Sequence, residues 1–261
     1  MSALESLNIH FLQLNLHWEQ ARSNRDKIEQ MLRDAPPADL ILLPEMFSTG
    51  FSMKAEQLAE TPQGKTFQWM QQMAAEREAA VCGSLITEDQ GLYYNRLYFV
   101  EPSGDFTTYD KHHLFTLAGE EKVYSPGQKK VSVNYRGWRI NLQVCYDLRF
   151  PVWCRNDEEF DLQLFVANWP ERRSYAWRQL LRARAIENVT YVAGLNRVGP
   201  DGNQVDHSGD SALNDPLGEA VAEAEAGREM LFSAEASKEN LAKIRKRFAF
   251  LKDRDSFSLS E

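Results

Sequence analysis

A chain of 261 residues is long enough to bury most of its apolar surface in one core, so a single domain over residues 1–261 is expected. Its 43% hydrophobic and 26% charged residues exclude a disordered or membrane-embedded chain. A formal net charge of -8 repels phosphate backbones, so no nucleic-acid partner is expected; the one dense basic patch, Lys243, Arg245, Lys246 and Arg247, reads as the solvated face of a terminal helix.

Residues Met1 to Ser6 lack the basic and apolar regions of a secretory leader, and no later stretch approaches the apolar length of a membrane span. Three cysteines, Cys82, Cys145 and Cys154, do not make the disulfide framework of a small secreted domain. A cytoplasmic location, reduced thiols and no membrane association are the expectations. Leu7 to Leu16 shows partial two-residue alternation and reads as a strand. It is followed by a charged helical stretch from Trp18 to Arg33 that stops before Pro36-Pro37. Ala38 to Leu43 is a short apolar run that ends in Pro44-Glu45, a buried strand whose end delivers a carboxylate. A helix is expected from Lys65 to Ala80. Strands follow at Val81 to Thr87, Tyr93 to Glu101 and Thr107 to Lys111, the last two pairing around Pro102-Ser-Gly-Asp. Beyond a loop from His112 to Lys130, Trp138 to Val144 forms another apolar strand and ends in Cys145. Asp161 to Ala167, a helix over Tyr175 to Asn188, and Thr190 to Leu195 repeat the pattern. Ala220 to Phe232 reads as a closing hairpin across Ala226-Gly227. Ser233 to Phe248 reads as a C-terminal helix with Leu241, Ile244 and Phe248 on one face, and the charged tail after it is of a kind that packs on a partner subunit. The fold class is α/β, with no internal repeat and no low-complexity linker.

Three reactive side chains, Glu45, Lys111 and Cys145, stand where expected strands end. Crevices of α/β sheets form at strand ends, so residues distant in sequence can converge there. A thiol is mostly protonated at neutral pH, and a nucleophilic cysteine needs a base or positive potential beside it. Glu45 is a candidate base. Lys111 is a candidate charge for the alkoxide that develops at an acyl carbon, together with the backbone N–H of Tyr146. From residue types alone, a cysteine after a strand is more often a small buried hydrophobe.

The surrounding segments give the three residues a context. LLPEMFSTGF (Leu42 to Phe51), YDKHHLF (Tyr109 to Phe115) and CYDLRFP (Cys145 to Pro151) resemble, in order and spacing, the glutamate, lysine and cysteine motifs of the carbon-nitrogen hydrolase, or nitrilase, superfamily. The resemblance runs on through YSPG, ANWP, RARAIEN and GDSALNDPLGE, and covers essentially the whole chain. It implies a four-layer α-β-β-α sandwich, commonly dimerised through helices. A homodimer is therefore expected, with the C-terminal helix and tail, about 235–261, at the interface. The resemblance also implies that Glu45 is the general base, Lys111 the oxyanion lysine and Cys145 the nucleophile. It adds a second active-site glutamate, which counting back from Pro126 places at Glu120 or its neighbour Glu121. PEMFSTGF, ANWPERR and RKRFAFLKD are most similar to the bacterial YafV-type omega-amidases. Those enzymes act on the terminal amides of 2-oxo dicarboxylic acids, with a small amide and water as partners and no cofactor.

The remaining candidates are weighed against simpler roles. Cys82 and Cys154 lack a base or lysine motif and read as packed thiols. His112, His113 and His207 invite a metal, but adjacent histidines in a strand face opposite sides and no ligand pair at helical spacing is present, so no metal is expected. Arg182, Arg184 and Glu187 fall in an expected helix and read as ion-pairing residues that set structure around the site. Trp169, Phe47 and Phe51 each follow a motif strand, where they are either core or pocket lining. Arg149, four positions after the nucleophile, is the candidate cation for an acidic substrate, because a guanidinium offers bidentate geometry to a carboxylate.

Overall fold

The computed structural model describes residues 5–258; Met1 to Leu4 of the N-terminal segment and the last three residues of the expected domain and tail lie outside the described residues. The first half of the chain runs β1 (Ser6–Gln13), α1 (Ala21–Leu32), β2 (Leu40–Leu42), α2 (Ala55–Leu58), α3 (Lys65–Arg77), β3 (Ala80–Asp89), β4 (Leu92–Val100) and β5 (Phe106–Asp110). The second half runs β6 (Ser132–Tyr135), β7 (Trp138–Val144), β8 (Leu162–Ala167), α4 (Ser174–Asn188), β9 (Tyr191–Asn196), β10 (Ala212–Asn214), β11 (Ala220–Glu223), β12 (Met230–Ser237) and α5 (Lys238–Arg247). None of the helices among the described residues is long and apolar enough to cross a membrane.

These strands form two six-stranded sheets, ordered β12-β1-β2-β3-β4-β5 and β11-β10-β9-β8-β7-β6. β1, β2 and β3 are parallel at the centre of the first, as are β7, β8 and β9 in the second, and antiparallel strands flank both. Two-residue alternation sets the layers. In the first sheet Leu7, Ile9, Phe11, Leu40, Leu42, Cys82, Leu97 and Phe99 join the core shared with the second sheet. The opposite-facing Leu12, Ile41, Val81, Tyr98 and Val100 instead pack with Ile28 and Leu32 of α1 and with Phe67, Met70 and Met73 of α3. On the second sheet Trp177, Leu181 and Ala185 of α4 complete the core. The result is the α-β-β-α sandwich that the sequence motifs implied.

Two expectations are corrected. β11 and β12 do not form a hairpin: β11 pairs with β10 in the second sheet, while β12 pairs with β1 in the first over the full register Ser6↔Ser237 to Gln13↔Met230. The Ala226-Gly227 turn is real, but an eight-residue antiparallel partner outweighs a local return of the chain. For the same reason Ser233 to Ser237 are strand, and the C-terminal helix begins at Lys238 with Ser237 accepting a capping hydrogen bond from the Asn240 N–H. Leu241 and Ile244 are buried as expected. Arg245 departs from the solvated basic face, donating to the carbonyls of Val189 and Phe160 and pairing with Asp161. The short strands β6 and β10 carry no sequence pattern that announced them.

The connection after β5 is pinned back onto the strand end. The Gly127 N–H donates to the Lys111 carbonyl at 2.9 Å, and a Cβ at residue 127 would lie 2.1 Å from the Asp110 carbonyl oxygen. No flexible side chain can move aside there, so glycine is required for the close approach. Gly127→Ala is expected to lower stability by about 1–3 kcal/mol in urea unfolding, and to reduce activity because the displaced backbone carries Lys111.

Candidate active site

Glu45 follows β2, Lys111 follows β5 and Cys145 follows β7, so the two sheets bring these residues together at their shared edge. Glu45 and Lys111 are fully buried, as is Glu120, which opens a 3-10 turn in the connection between β5 and β6. The Lys111 ammonium donates to Glu45 Oε1 at 2.9 Å and to Glu120 Oε1 and Oε2 at 3.0 and 2.8 Å. Glu120 also accepts the Phe115 N–H at 2.6 Å. Glu121 is exposed, so Glu120 is the acid at the cluster. The 3-10 turn decides between the adjacent glutamates.

Two asparagines that sequence reasoning did not single out complete the polar shell. Asn95 Nδ2 donates to Glu45 Oε1 at 2.7 Å and to Glu120 Oε1 at 3.3 Å. The Asn168 N–H donates to Glu45 Oε2 at 2.8 Å, and its side chain donates to the Glu45 carbonyl at 2.5 Å. Glu45 is thereby held by both sheets, since Asn95 belongs to β4 and Asn168 follows β8. A polar residue within the apolar run of β4 was the available signal for Asn95.

Cys145 has φ 44, a left-handed conformation that costs a non-glycine residue about 1–3 kcal/mol. The cost is met by the turn it opens. Asp147, fully buried, accepts the Val144 N–H at 3.1 Å, the Tyr109 hydroxyl at 2.8 Å and the His113 N–H at 2.9 Å. Arg184 reaches the Leu148 carbonyl at 2.6 Å while pairing with Glu187 at 2.9 Å. Arg184 and Glu187 thus set structure around the nucleophile turn, whereas Arg182 pairs with Glu223 at the surface. His113 stacks on Phe150 and places Nδ1 2.8 Å from Asp147; His112 stacks on Trp153 and places Nδ1 2.6 Å from the Gly127 carbonyl. Both histidines serve the scaffold.

The cluster is electrostatically frustrated around the sulfur. Burial pushes the Cys145 thiol well above its ordinary pKa; the Glu45 carboxylate adds to the rise, and Lys111 opposes it without prevailing. Cys145 and Glu45 line the same cavity, side by side with Lys111. Burial disfavours the Lys111 cation, but Glu120 and then Glu45 overrule it and hold its pKa above the usual lysine value. Glu120 is raised by burial and by Glu45 against the pull of Lys111. These effects favour the protonated form of the Cys145 sulfur.

A cavity of about 140 Å³ opens above these groups, sized for a small molecule. Tyr146, Phe51, Trp169 and Arg149 line it, and the Lys111 ammonium lies 5.1 Å from the centre of the Phe51 ring. Phe47 is a correction. It is fully buried in the core under α3, against Trp69 and Gly83, and does not line the cavity. The chain reverses at Met46 (φ 45), which turns Phe47 inward, whereas Phe51 follows Gly50 (φ 78) and faces the site. Phe115, Arg173 and His207 also line the cavity. Burial, followed by the charge of Arg197, lowers the pKa of His207 to about 4, so it is neutral at pH 7.

Known proteins share this arrangement of chain and fold. The carbon-nitrogen hydrolase family matches residues 9–246. The chain is 43% identical over 256 residues to the omega-amidase YafV of Yersinia enterocolitica, covering 98% of this chain and 100% of that protein. It is 31% identical over 244 residues to the 2-oxoglutaramate amidase of Bacillus subtilis, covering 91% and 93%. A crystal structure of a CN-hydrolase superfamily protein from Xanthomonas campestris, with an arsenic adduct in its active site, superposes with a TM-score of 0.96 at 45% identity, covering 98% of this chain and 100% of that one.

The geometry makes Lys111 the counter-ion of two buried carboxylates. In Lys111→Met two buried carboxylates face each other without a cation, a loss expected to cost about 3–5 kcal/mol of stability in urea unfolding. Adding Glu120→Gln removes one of the charges, and the double variant is expected to regain a substantial part of that loss. Equal stability of the single and double variants would separate Glu120 from the charge cluster.

Proposed function

The chain belongs to the carbon-nitrogen hydrolase family, and we propose that within it the protein is a cysteine-dependent omega-amidase that releases ammonia from 2-oxo dicarboxylic acid monoamides such as 2-oxoglutaramate. The observation that carries this reading is the apposition of the Cys145 thiol to the buried Glu45–Lys111–Glu120 cluster, beneath a small cavity with arginine at its wall. Likeness over the whole length of amidases with that activity supports the substrate class.

The reaction follows from the geometry. Cys145 Sγ bonds to the amide carbon while its proton passes to Glu45, so no free thiolate stands beside two carboxylates. The carbonyl oxygen becomes an oxyanion that accepts from Lys111 and from the Tyr146 N–H. The three ammonium donors reach Glu45 Oε1 and both oxygens of Glu120, so the longer bond to Glu120 Oε1 is exchanged for the oxyanion as it forms. Collapse breaks the carbon–nitrogen bond, Glu45 returns the proton to departing ammonia, and an acyl thioester remains. Water then attacks the thioester as Glu45 takes its proton, and the acid leaves with the thiol restored. Glu120 is a positioning residue that fixes Lys111. Arg149, 4.7 Å over the Trp169 ring, faces the carboxylate at the far end of the substrate, where an unpaired buried charge would be costly.

The same reading takes residues 1–261 as one catalytic domain that works in the cytoplasm as a homodimer without a cofactor. Exposed Phe250 and Phe257 in the C-terminal segment support a partner's covering of the tail, about 235–261.

Ammonia release across omega-amides of 2-oxo acids, aliphatic amides, carbamoyl amines and nitriles tests the assignment; the highest kcat/KM is expected for 2-oxoglutaramate, and a nitrile or carbamoyl amine in first place would overturn it. Cys145→Ala is expected to abolish turnover with unfolding behaviour close to that of the native protein, while intact mass during turnover of the native protein shows an acyl adduct. Glu45→Gln is expected to be at least as damaging as loss of an oxyanion donor, about 3 kcal/mol or more in the barrier. Substantial activity in the Cys145 variant would move the nucleophile elsewhere.

A further inference from the structure

Several arginines in this protein are held by acids. Arg96 pairs with Asp89 and Asp110, Arg136 with Asp39, Arg184 with Glu187 and Arg245 with Asp161. Two half-buried arginines on the wall of the active-site cavity are held differently. Arg149 lies over the Trp169 ring at 4.7 Å and Arg173 over the Phe115 ring at 5.0 Å, and among the described residues neither forms an ion pair with a carboxylate. Both faces of the arrangement are aromatic, which orients a guanidinium plane without consuming its donors.

Arg173 is also fixed in place. It closes the 3-10 turn Glu171–Arg173, its N–H donating to the Pro170 carbonyl at 2.9 Å and its own carbonyl accepting the Trp169 indole N–H at 2.9 Å. The Glu171 N–H ties the turn to the Asp206 carbonyl at 2.8 Å. Holding cations together partly out of water is unfavourable, and the cost is visible: burial first, then Arg172, with Arg149 contributing, lowers the Arg173 pKa. Arg173 lines the same cavity as Cys145 and Tyr146. An anion seated between the two guanidinium groups would relieve this strain and satisfy donors that the protein leaves free.

We propose that Arg173 is a specificity-determining residue that closes with Arg149 on the substrate's remote carboxylate, so that the site is a two-guanidinium receptor with its thiol one substrate length away. The assignment rests on the amidase reading, whose own anchor is Arg149 alone. Arg172 also borders the cavity, but it is exposed to water and, among the described residues, stacks on no ring, and the receptor does not include it. The consequence is selection of short amides with an anionic far end over neutral amides of equal length.

The test compares kcat/KM for 2-oxoglutaramate and for pentanamide in the native enzyme, Arg173→Met, Arg173→Lys and Arg172→Met. Arg173→Met is expected to lose about thirty-fold or more on 2-oxoglutaramate, with the ratio between the two substrates falling at least about ten-fold; Arg173→Lys keeps the charge without the fork and recovers part of the ratio. Equal losses on both substrates would make Arg173 a scaffold residue, no loss would leave Arg149 as sole anchor, and a ratio lost in Arg172→Met instead would move the receptor to the exposed arginine; each result overturns the proposal. A second measurement is independent of turnover: calorimetric binding of 2-oxoglutarate to Cys145→Ala, expected to weaken about ten-fold or more when Arg173→Met is added. If the native enzyme hydrolyses pentanamide but not 2-oxoglutaramate, the omega-amidase reading fails by itself. Calorimetry then decides the receptor, which stands if binding depends on Arg173 and falls if it does not.

Discussion

The ammonium of Lys111, wedged between the carboxylates of Glu45 and Glu120 with all three residues out of water, is the interaction on which the rest of the site depends. Neither acid could remain ionised so close to the other without it, and the lysine could not remain a cation without them. The cluster also joins the two halves of the fold, because Glu45 and Lys111 come from the first sheet while Asn168, which grips Glu45, comes from the second. Packing of the sheets and assembly of the chemistry are one event. The same charge balance favours a protonated Cys145 sulfur, because an additional anion would disturb an arrangement in which one cation is already shared.

Cations near the site are partnered in two ways. Arg96 and Arg184 meet carboxylates, whereas Arg149 and Arg173, on the cavity wall, meet aromatic rings. A ring holds the plane of a guanidinium and leaves its N–H groups unspent. Lys111 combines both modes, with acids on its donors and the Phe51 ring 5.1 Å away.

Most of this architecture was legible in the chain because it is local. Strands that end at Glu45, Lys111 and Cys145 announce themselves as apolar runs broken by a reactive residue, and the helices by their period. What escaped reading depends on contacts made across the fold. Asn95 and Asn168 look ordinary until Glu45 is placed between them. The separation of Phe47, in the core, from Phe51, in the cavity, depends on left-handed turns at Met46 and Gly50. Glu120 and Glu121 are neighbours that differ only in which side of a short turn each takes. The supposed hairpin at Gly227 failed because a local turn signal carries no information about a competing strand more than two hundred positions away.

That competing strand has a consequence for the birth of the protein. β1 pairs with β2 on one side, but its other edge is satisfied only by β12, whose last residue is Ser237. During synthesis the N-terminal half can collapse early, yet its sheet keeps an open hydrogen-bonding edge until nearly the whole chain has left the ribosome. The seam is therefore closed last, by residues that lie between the final strand of one sheet and the terminal helix. A nascent chain interrupted before Met230 would carry every reactive residue and still present a naked, adhesive β-edge, so completeness of the polypeptide, rather than possession of the catalytic groups, separates a soluble molecule from a seed for aggregation.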